Sequence, residues 1–366
     1  MSKPRVLFVS RTRYRLPLAP TLARKWDALA RELDPCVIAT AHDEPAADGM
    51  FVLVSPRSGA SFWLSLPFLV AREVRRFRPD AILTQSPYEA AAALLARTLV
   101  RSHARIVTDV HGDWRTATRL YGSPLRAALR PFADAVAAAA LRRADAVRTV
   151  SAYTSRLVRE LGIEPASSFP AIIDLDAFES PPVDPPVTPV ALFVGVLERY
   201  KNVDGLADVW PRVAARVPQA RLHVVGKGTL ENVVLQLLRT HPASVAWTRE
   251  LDAAGVAAAM DDATLLVLPS RSEGMGRVAI EAFCRARPVV GTRVGGIPDL
   301  VEDGVNGLLV DSGSSESLAA ALEKLLTDQA RARELGARAR EGVQPLLQTP
   351  EAFAERTRAL VDGLLS

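Results

Sequence analysis

Cysteine, histidine and long apolar runs are all scarce in this chain. Its two cysteines, Cys36 and Cys284, lie far apart and share no metal-ligand spacing. Two such thiols do not make a disulfide scaffold, and a reducing compartment is the simplest setting for them. None of the five histidines is spaced as a zinc site, so neither a metal nor another cofactor is expected. The apolar run Val6–Val9 is too short for a signal-peptide core. The longest largely apolar stretch, Phe62–Ala71, has ten residues and contains Pro67. A membrane-spanning helix needs about 20. A cytoplasmic location is therefore expected, and nucleic acid is not an expected partner.

The length of 366 residues suits two domains, because single cores stop growing at about 250–300 residues. A hydrophobic fraction of 49% is enough to fill two cores. A charged fraction of 23% with mixed signs belongs to a globular chain. Residues 1–178 carry 25 Lys and Arg against 17 Asp and Glu, and the remainder carries 20 against 24. A basic first half suits an anionic partner, and ordinary surface arginine accounts for it equally well.

Strand and helix patterns alternate along both halves. Strand patterns at 5–10, 35–40, 81–84, 105–110 and 145–150 are interleaved with helical ones at 20–33, 89–100 and 152–161. The stretch 179–189 is rich in proline, which cannot donate to a strand ladder, and reads as a linker. Alternation then resumes, with strands at 190–194, 221–225, 264–268 and 288–292 and helices at 205–217, 230–240, 278–285, 315–326 and 331–342. Thr349-Pro350 precedes a last helix, 351–365. The expected fold class is α/β, with two Rossmann-like, doubly wound domains, 1–178 and 190–349. The helix 351–365 is expected to pack back on the first domain. Ligands of such domains bind at the carboxyl ends of parallel strands.

The segment Leu268-Pro-Ser-Arg-Ser-Glu-Gly-Met-Gly-Arg-Val-Ala-Ile-Glu-Ala-Phe283 carries the most chemistry. A buried strand ends at Pro269, a loop delivers Glu273, Gly274 and Gly276, and a helix begins. Glycines let backbone N–H groups approach a ligand, and a helix N-terminus favours an anion. Glu281 follows Glu273 by eight residues, just inside the helix. Two carboxylates flanking a phosphate cradle suit a ligand with hydroxyls on both sides of a diphosphate, the shape of a nucleotide sugar.

These residues resemble the retaining glycosyltransferases of family 4, which have the GT-B fold of two domains facing a cleft. The likeness runs through nearly the whole chain and is densest over 190–311. It implies that Glu281 binds ribose hydroxyls, that Glu273 contacts the donor sugar, and that the backbone at Gly274, Met275 and Gly276 holds the sugar and distal phosphate. The run Thr292–Val310, with Gly295-Gly296 and Pro298, is similar to the family too, and its glycines read equally as turn formers. In Phe193-Val-Gly-Val-Leu-Glu-Arg-Tyr-Lys201, Gly195 closes a strand and Lys201 follows in the loop. The family usually has Arg directly after this glycine, to share the diphosphate with the lysine. Here Val196 stands there, and Arg199 or Lys227 is a candidate substitute. His111, in Thr108-Asp-Val-His-Gly-Asp-Trp114, resembles the family's histidine near the reacting carbon. Asp109 and Asp113 flank it, at least one of them with a local role.

Other segments leave alternatives open. Arg11, Arg13, Tyr14 and Arg15 follow the first strand where the family commonly has paired glycines. They suit an anionic acceptor, the donor diphosphate, or plain solvation. Pro170-Ala-Ile-Ile-Asp174 alters the family's Asn-Gly before its interdomain aspartate. Asp174-Leu-Asp176 spells a short metal-binding pattern of another fold and is read as structural. Phe62–Arg76 and Arg119–Arg143 mix basic and apolar residues, either as core-facing helices or as surfaces for anionic lipid. The expected function is transfer of a sugar from a nucleotide-sugar donor to a glycan, lipid-linked or small-molecule acceptor. The alternatives are a non-catalytic nucleotide-sugar scaffold and a sugar-nucleotide epimerase.

Overall fold

The computed structural model describes residues 2–42, 46–55, 59–116, 124–173 and 175–366, and divides into two units, 1–172 with 348–366, and 173–347. Asp174 and Leu120 lie outside the described residues.

The first unit holds strands β1 (Arg5–Tyr14), β2 (Asp34–Ala41), β3 (Ala46–Asp48), β4 (Phe51–Val54), β5 (Ala81–Thr84), β6 (Arg105–Val110), β7 (Ala146–Thr149) and β8 (Ser167–Ser168). Their order in the sheet is β3-β4-β2-β1-β5-β6-β7-β8, parallel except where β3 meets β4. Alternation along the strands decides which side each residue fills. Val6, Val37 and Ala81 enter one core, whereas Leu7, Ile38 and Ile82 enter the other. Strands covered on both sides read as unbroken apolar runs. Helices α1 (Pro20–Glu32) and α12 (Pro350–Leu365) cover the first side, through Trp26, Leu29, Phe353 and Val361. Helix α2 (Gly59–Phe77) and helix α3 (Pro87–Leu99) cover the other, through Phe62, Leu66, Val70 and Ala93. Helix α4 (Pro124–Arg143) lies beside α3, and α5 (Ala152–Arg159) follows β7.

The second unit is a six-stranded parallel sheet in the order β11-β10-β9-β12-β13-β14, with β9 Val190–Val194, β10 Arg221–Val225, β11 Val245–Thr248, β12 Leu265–Leu268, β13 Val289–Thr292 and β14 Gly307–Val310. The crossover helices are α6 (Val203–Arg216), α7 (Glu231–Thr240), α8 (Ala253–Asp261) and α9 (Arg277–Cys284), and α10 (Ser315–Thr327) and α11 (Gln329–Gly342) follow the last strand. Leu206, Trp210 and Val213 of α6 pack with Leu318, Leu322 and Leu325 of α10 over Phe193 and Leu222.

Two differences from the sequence expectation have plain causes. Strand β1 runs on to Tyr14, because a register shift between Val9 and Arg13 keeps it paired with β2. The proline-rich stretch 179–189 is fixed to the second unit. Buried Arg285 donates to the Ser180 carbonyl at 2.6 Å, and buried Arg287 to that of Val183 at 2.9 Å. The unit accordingly begins at Ile173.

Candidate active site

In the second unit, β10 and β11 extend from one side of β9, and β12 to β14 from the other. The carboxyl ends of β9 and β12 therefore meet at the switch point, where open α/β sheets bind ligands. The loop after β9 contains a 3-10 turn, Arg199–Lys201, ended by Asn202 in the left-handed region at φ 58°. It is sewn to the loop after β12. The Arg271 amide donates to the Tyr200 carbonyl at 2.7 Å, and Asn202 Nδ2 to that of Pro269 at 3.0 Å. The Arg271 side chain donates to the Arg199 carbonyl and grips Asp204 with two bonds of 3.0 and 2.9 Å. These contacts bring Lys201 Nζ onto the Glu273 carboxylate, both side chains being only 12% and 14% exposed.

A third loop, after β13, supports the second. A Cβ on Gly295, at φ +57°, would lie 1.8 Å from the Glu273 carbonyl oxygen, and one on Gly296 2.3 Å from that of Gly274. The Gly296 amide donates to the Glu273 carbonyl at 3.0 Å. These glycines are required for close backbone approach. Gly276, at φ +75°, is the N-cap of α9, Met275 is buried beside it, and Glu281 is half-buried in the helix. Gly195 differs from these, because a Cβ there would meet nothing closer than Lys201 Cε and the Phe193 ring, at 3.7 Å. The protein itself does not require glycine at 195, and the space is beside the Lys201 stem.

The candidate cations are placed unequally. Arg199 and Val196 are exposed. Lys227 is held in an exposed pair with Glu250 at 2.6 Å, and its carbonyl accepts from the Leu197 amide at 3.0 Å. Arg277, the first residue of α9, was not singled out from the sequence. It is exposed directly after Gly276, at the start of α9. An arginine immediately following Gly-Met-Gly was the available signal.

In the first unit, β6 ends just before His111. His111 Nε2 stands 3.7 Å from the Asp109 carboxylate, which accepts a 2.6 Å bond from Arg148 Nη1. Arg148 is 2% exposed, donates to the Phe169 and Pro170 carbonyls at 3.1 and 3.2 Å, and stacks 3.9 Å from the Phe169 ring. Burial pushes the Asp109 carboxyl up, but the charge and bond of Arg148, with His111 close by, outweigh it and hold it below the usual range. Asp109 thus stands beside His111 while bonded to Arg148, whereas Asp113 bonds its neighbour Arg115 at 2.7 Å. Arg148 had no sequence signal beyond a basic residue inside a strand pattern.

The arginine segment is divided. Arg11, Arg13 and Arg15 are exposed. Tyr14 is a correction to the acceptor reading: it is buried, its ring 5.6 Å from Phe51 and 6.3 Å from Trp26, because the extended β1 turns it into the core. Arg11 lies 5.3 Å from the Phe62 ring and 5.6 Å from that of Trp63. The first unit's switch point falls between β1 and β5, and there Glu89 is buried at the start of α3. Its carboxyl bonds the N-cap Ser86 hydroxyl, and burial pushes it up to about 7. Ser-x-x-Glu was the legible signal for it.

Residues 188–328 match the family model described as glycosyl transferases group 1, and residues 21–176 that described as glycosyltransferase family 4. A GDP-mannose-dependent alpha-(1-6)-phosphatidylinositol monomannoside mannosyltransferase of Mycolicibacterium smegmatis is 33% identical over 229 residues, 55% of this chain and 59% of its own. Sucrose-phosphate synthase from Thermosynechococcus elongatus superposes with a TM-score of 0.80 over 99% of both chains at 21% identity. Anabaena HepE in complex with UDP-glucose superposes with a TM-score of 0.73 over 97% of this chain and 99% of that one at 18% identity. At those identities the two structures share the fold alone. The first curated relatives are matched over less than half of their own length, between 30% and 46%.

Proposed function

Since the chain belongs to the group 1, family 4 glycosyltransferases with the GT-B fold, we propose that it transfers a sugar from a nucleoside-diphosphate sugar to a hydroxyl acceptor with retention at the anomeric carbon. The observation that carries this is the Lys201–Glu273 pair, assembled from two loops at the switch point beside the N-terminus of α9. Bond cleavage leaves negative charge on the nucleoside diphosphate. Lys201, Arg277 and the backbone N–H groups at 274–276 stabilise that charge, and Arg277 supplies the cation that position 196 lacks. Glu273, released from Lys201 by the phosphates, accepts from sugar hydroxyls, and Glu281 from ribose hydroxyls. His111, beside Asp109, hydrogen-bonds the donor sugar near the reacting carbon. No metal is required, because these cations and dipoles supply the neutralisation. The acceptor is a glycan, a lipid-linked sugar or a small molecule, recognised by the first unit with Arg11, Arg13 and Arg15. A nucleoside-diphosphate donor is consistent with the GDP-mannose dependence in the mannosyltransferase's name and the UDP-glucose in the HepE complex.

A panel of nucleotide sugars, scored by thermal stabilisation and nucleoside diphosphate release, tests the reading. One donor is expected to stabilise the protein and be slowly hydrolysed. Lys201→Ala is expected to lower release by about 10²–10³-fold, the usual cost of removing an oxyanion-stabilising group, and Glu273→Ala to lower it through the lost bonds to sugar hydroxyls. Absence of donor binding at millimolar concentration sinks the reading, and the exposed Val196 then favours a scaffold without activity. Acceptor-independent conversion of the donor to another nucleotide sugar identifies an epimerase.

A further inference from the structure

We infer that the outer face of α2, α3 and α4 is a docking surface for a bilayer containing anionic phospholipid. Among the described residues, ten large apolar side chains are exposed, and six of them are on these three consecutive helices: Leu64 and Phe68, Leu95 and Leu99, Leu129 and Phe132. Phe68 and Phe132 are 68% and 70% exposed. The core does not need them. In α2 the inward stripe is Phe62, Leu66 and Val70, and Leu64 and Phe68 lie off it. The six belong to one surface, because α3 packs between α2 and α4. Phe68 and Leu99 line one interhelical groove with Arg72 and Arg75, and Leu95 lines the next with Val136 and Arg143.

The exposed charge on this face is basic, with Arg72 and Arg76 bonded to the buried Glu73 carboxylate at 2.9 and 2.6 Å. Arg72, Arg75, Arg76, Arg142 and Arg143 are exposed. Glu73 and Glu89 are buried, and Asp134 is half-buried, so no described carboxylate of the three helices is exposed. Exposed Phe and Leu amid arginines that outnumber the acid of these helices match the boundary between acyl chains and phosphate headgroups. A second copy of the chain fits poorly, because a two-fold contact places the same arginines against each other. No helix among the described residues is long and apolar enough to cross a membrane, so the surface would lie on the bilayer. The inference does not rest on the transferase reading, since none of these side chains is assigned to the reaction.

Co-sedimentation of the full chain with vesicles of phosphatidylcholine, alone or mixed with phosphatidylglycerol, is the test. The expected result is binding to the mixed vesicles alone, weakened by salt. The pair Phe68→Ser with Phe132→Ser is expected to lower partitioning by about tenfold or more, since each exposed ring otherwise leaves water. Arg75→Glu with Arg143→Glu is expected to abolish the preference for anionic lipid. Val187→Ser, an exposed apolar position in the second unit, is the control and should bind like the parent. Circular dichroism and unfolding curves establish that each variant is folded. Equal binding by parent and double variants overturns the inference, as does no binding to mixed vesicles. So does a parent dimer that Phe68→Ser with Phe132→Ser converts to monomer, which assigns the face to a second copy of the chain.

Discussion

A Cβ at Gly295 would collide with the Glu273 carbonyl at 1.8 Å, whereas one at Gly195 would meet nothing within 3.7 Å. The two glycines therefore separate stability from binding. Gly295→Ala is expected to cost about 1–3 kcal/mol, because the left-handed backbone is strained and the β12 loop must move. Gly195→Ala is expected to stay within about 0.5 kcal/mol of the parent in urea unfolding. Its donor affinity should nevertheless fall when titrated, because the methyl group occupies the space beside Lys201. Arg277→Ala should behave like Gly195→Ala. Asp109 presents the opposite case. Asp109→Asn leaves the Arg148 guanidinium buried without its counter-charge, a loss of about 3–5 kcal/mol for a buried pair. Because its folded-state pKa is depressed, the Asp109 contribution is present above the ordinary carboxylate range. It is lost as pH falls through the folded value. The acid limb of the parent's stability curve should flatten in Asp109→Asn.

At the scale of elements, the N-terminus of α3 carries its own pH dependence. Glu89 has its carboxyl raised to about 7 by burial, so the folded form binds the proton more tightly than the unfolded one. The stability it contributes is complete below the unfolded pKa and disappears as pH rises through about 7. The change is on the order of 3 kcal/mol at most. Glu89→Gln, which keeps the neutral shape, should unfold at a temperature much less dependent on pH between about 5 and 8. This element also shows what the sequence made legible. Ser86-Pro-Tyr-Glu89 announces a helix start, but not that the glutamate would be buried at a switch point, which only the β1–β5 neighbourhood decides. Glu273, Lys201, Glu281 and His111 stood out because their loops and following helices have recognisable spacing. Tyr14 was misplaced because a register shift carried β1 past the expected loop. The pairing of Lys227 with Glu250 at 2.6 Å joins residues 23 positions apart, and only the β10–β11 pairing brings them together. Arg148 is hidden from any sequence reading, since the groups that justify it lie on other elements.

The whole molecule is two folding units, of which the first is discontinuous. Its α12 contributes Phe353, Ala354, Leu360 and Val361 to the core that holds Trp26 and Leu29, and Arg358 donates to the Glu32 carbonyl at 2.7 Å. Removing residues 348–366 should lower the transition of the first unit and leave that of the second nearly unchanged, visible as two separated peaks in calorimetry. A nascent chain meets the same arrangement in time. The α1 side of the first sheet leaves the ribosome with only one of its two covering helices, and the entire second unit is translated before α12 arrives. The uninterrupted second unit can complete itself first, and the first closes only when α12 emerges. During that interval the part of the core that α12 covers is open to holdase chaperones, and a ribosome stalled before residue 348 should leave the first unit protease-sensitive beside a resistant second one.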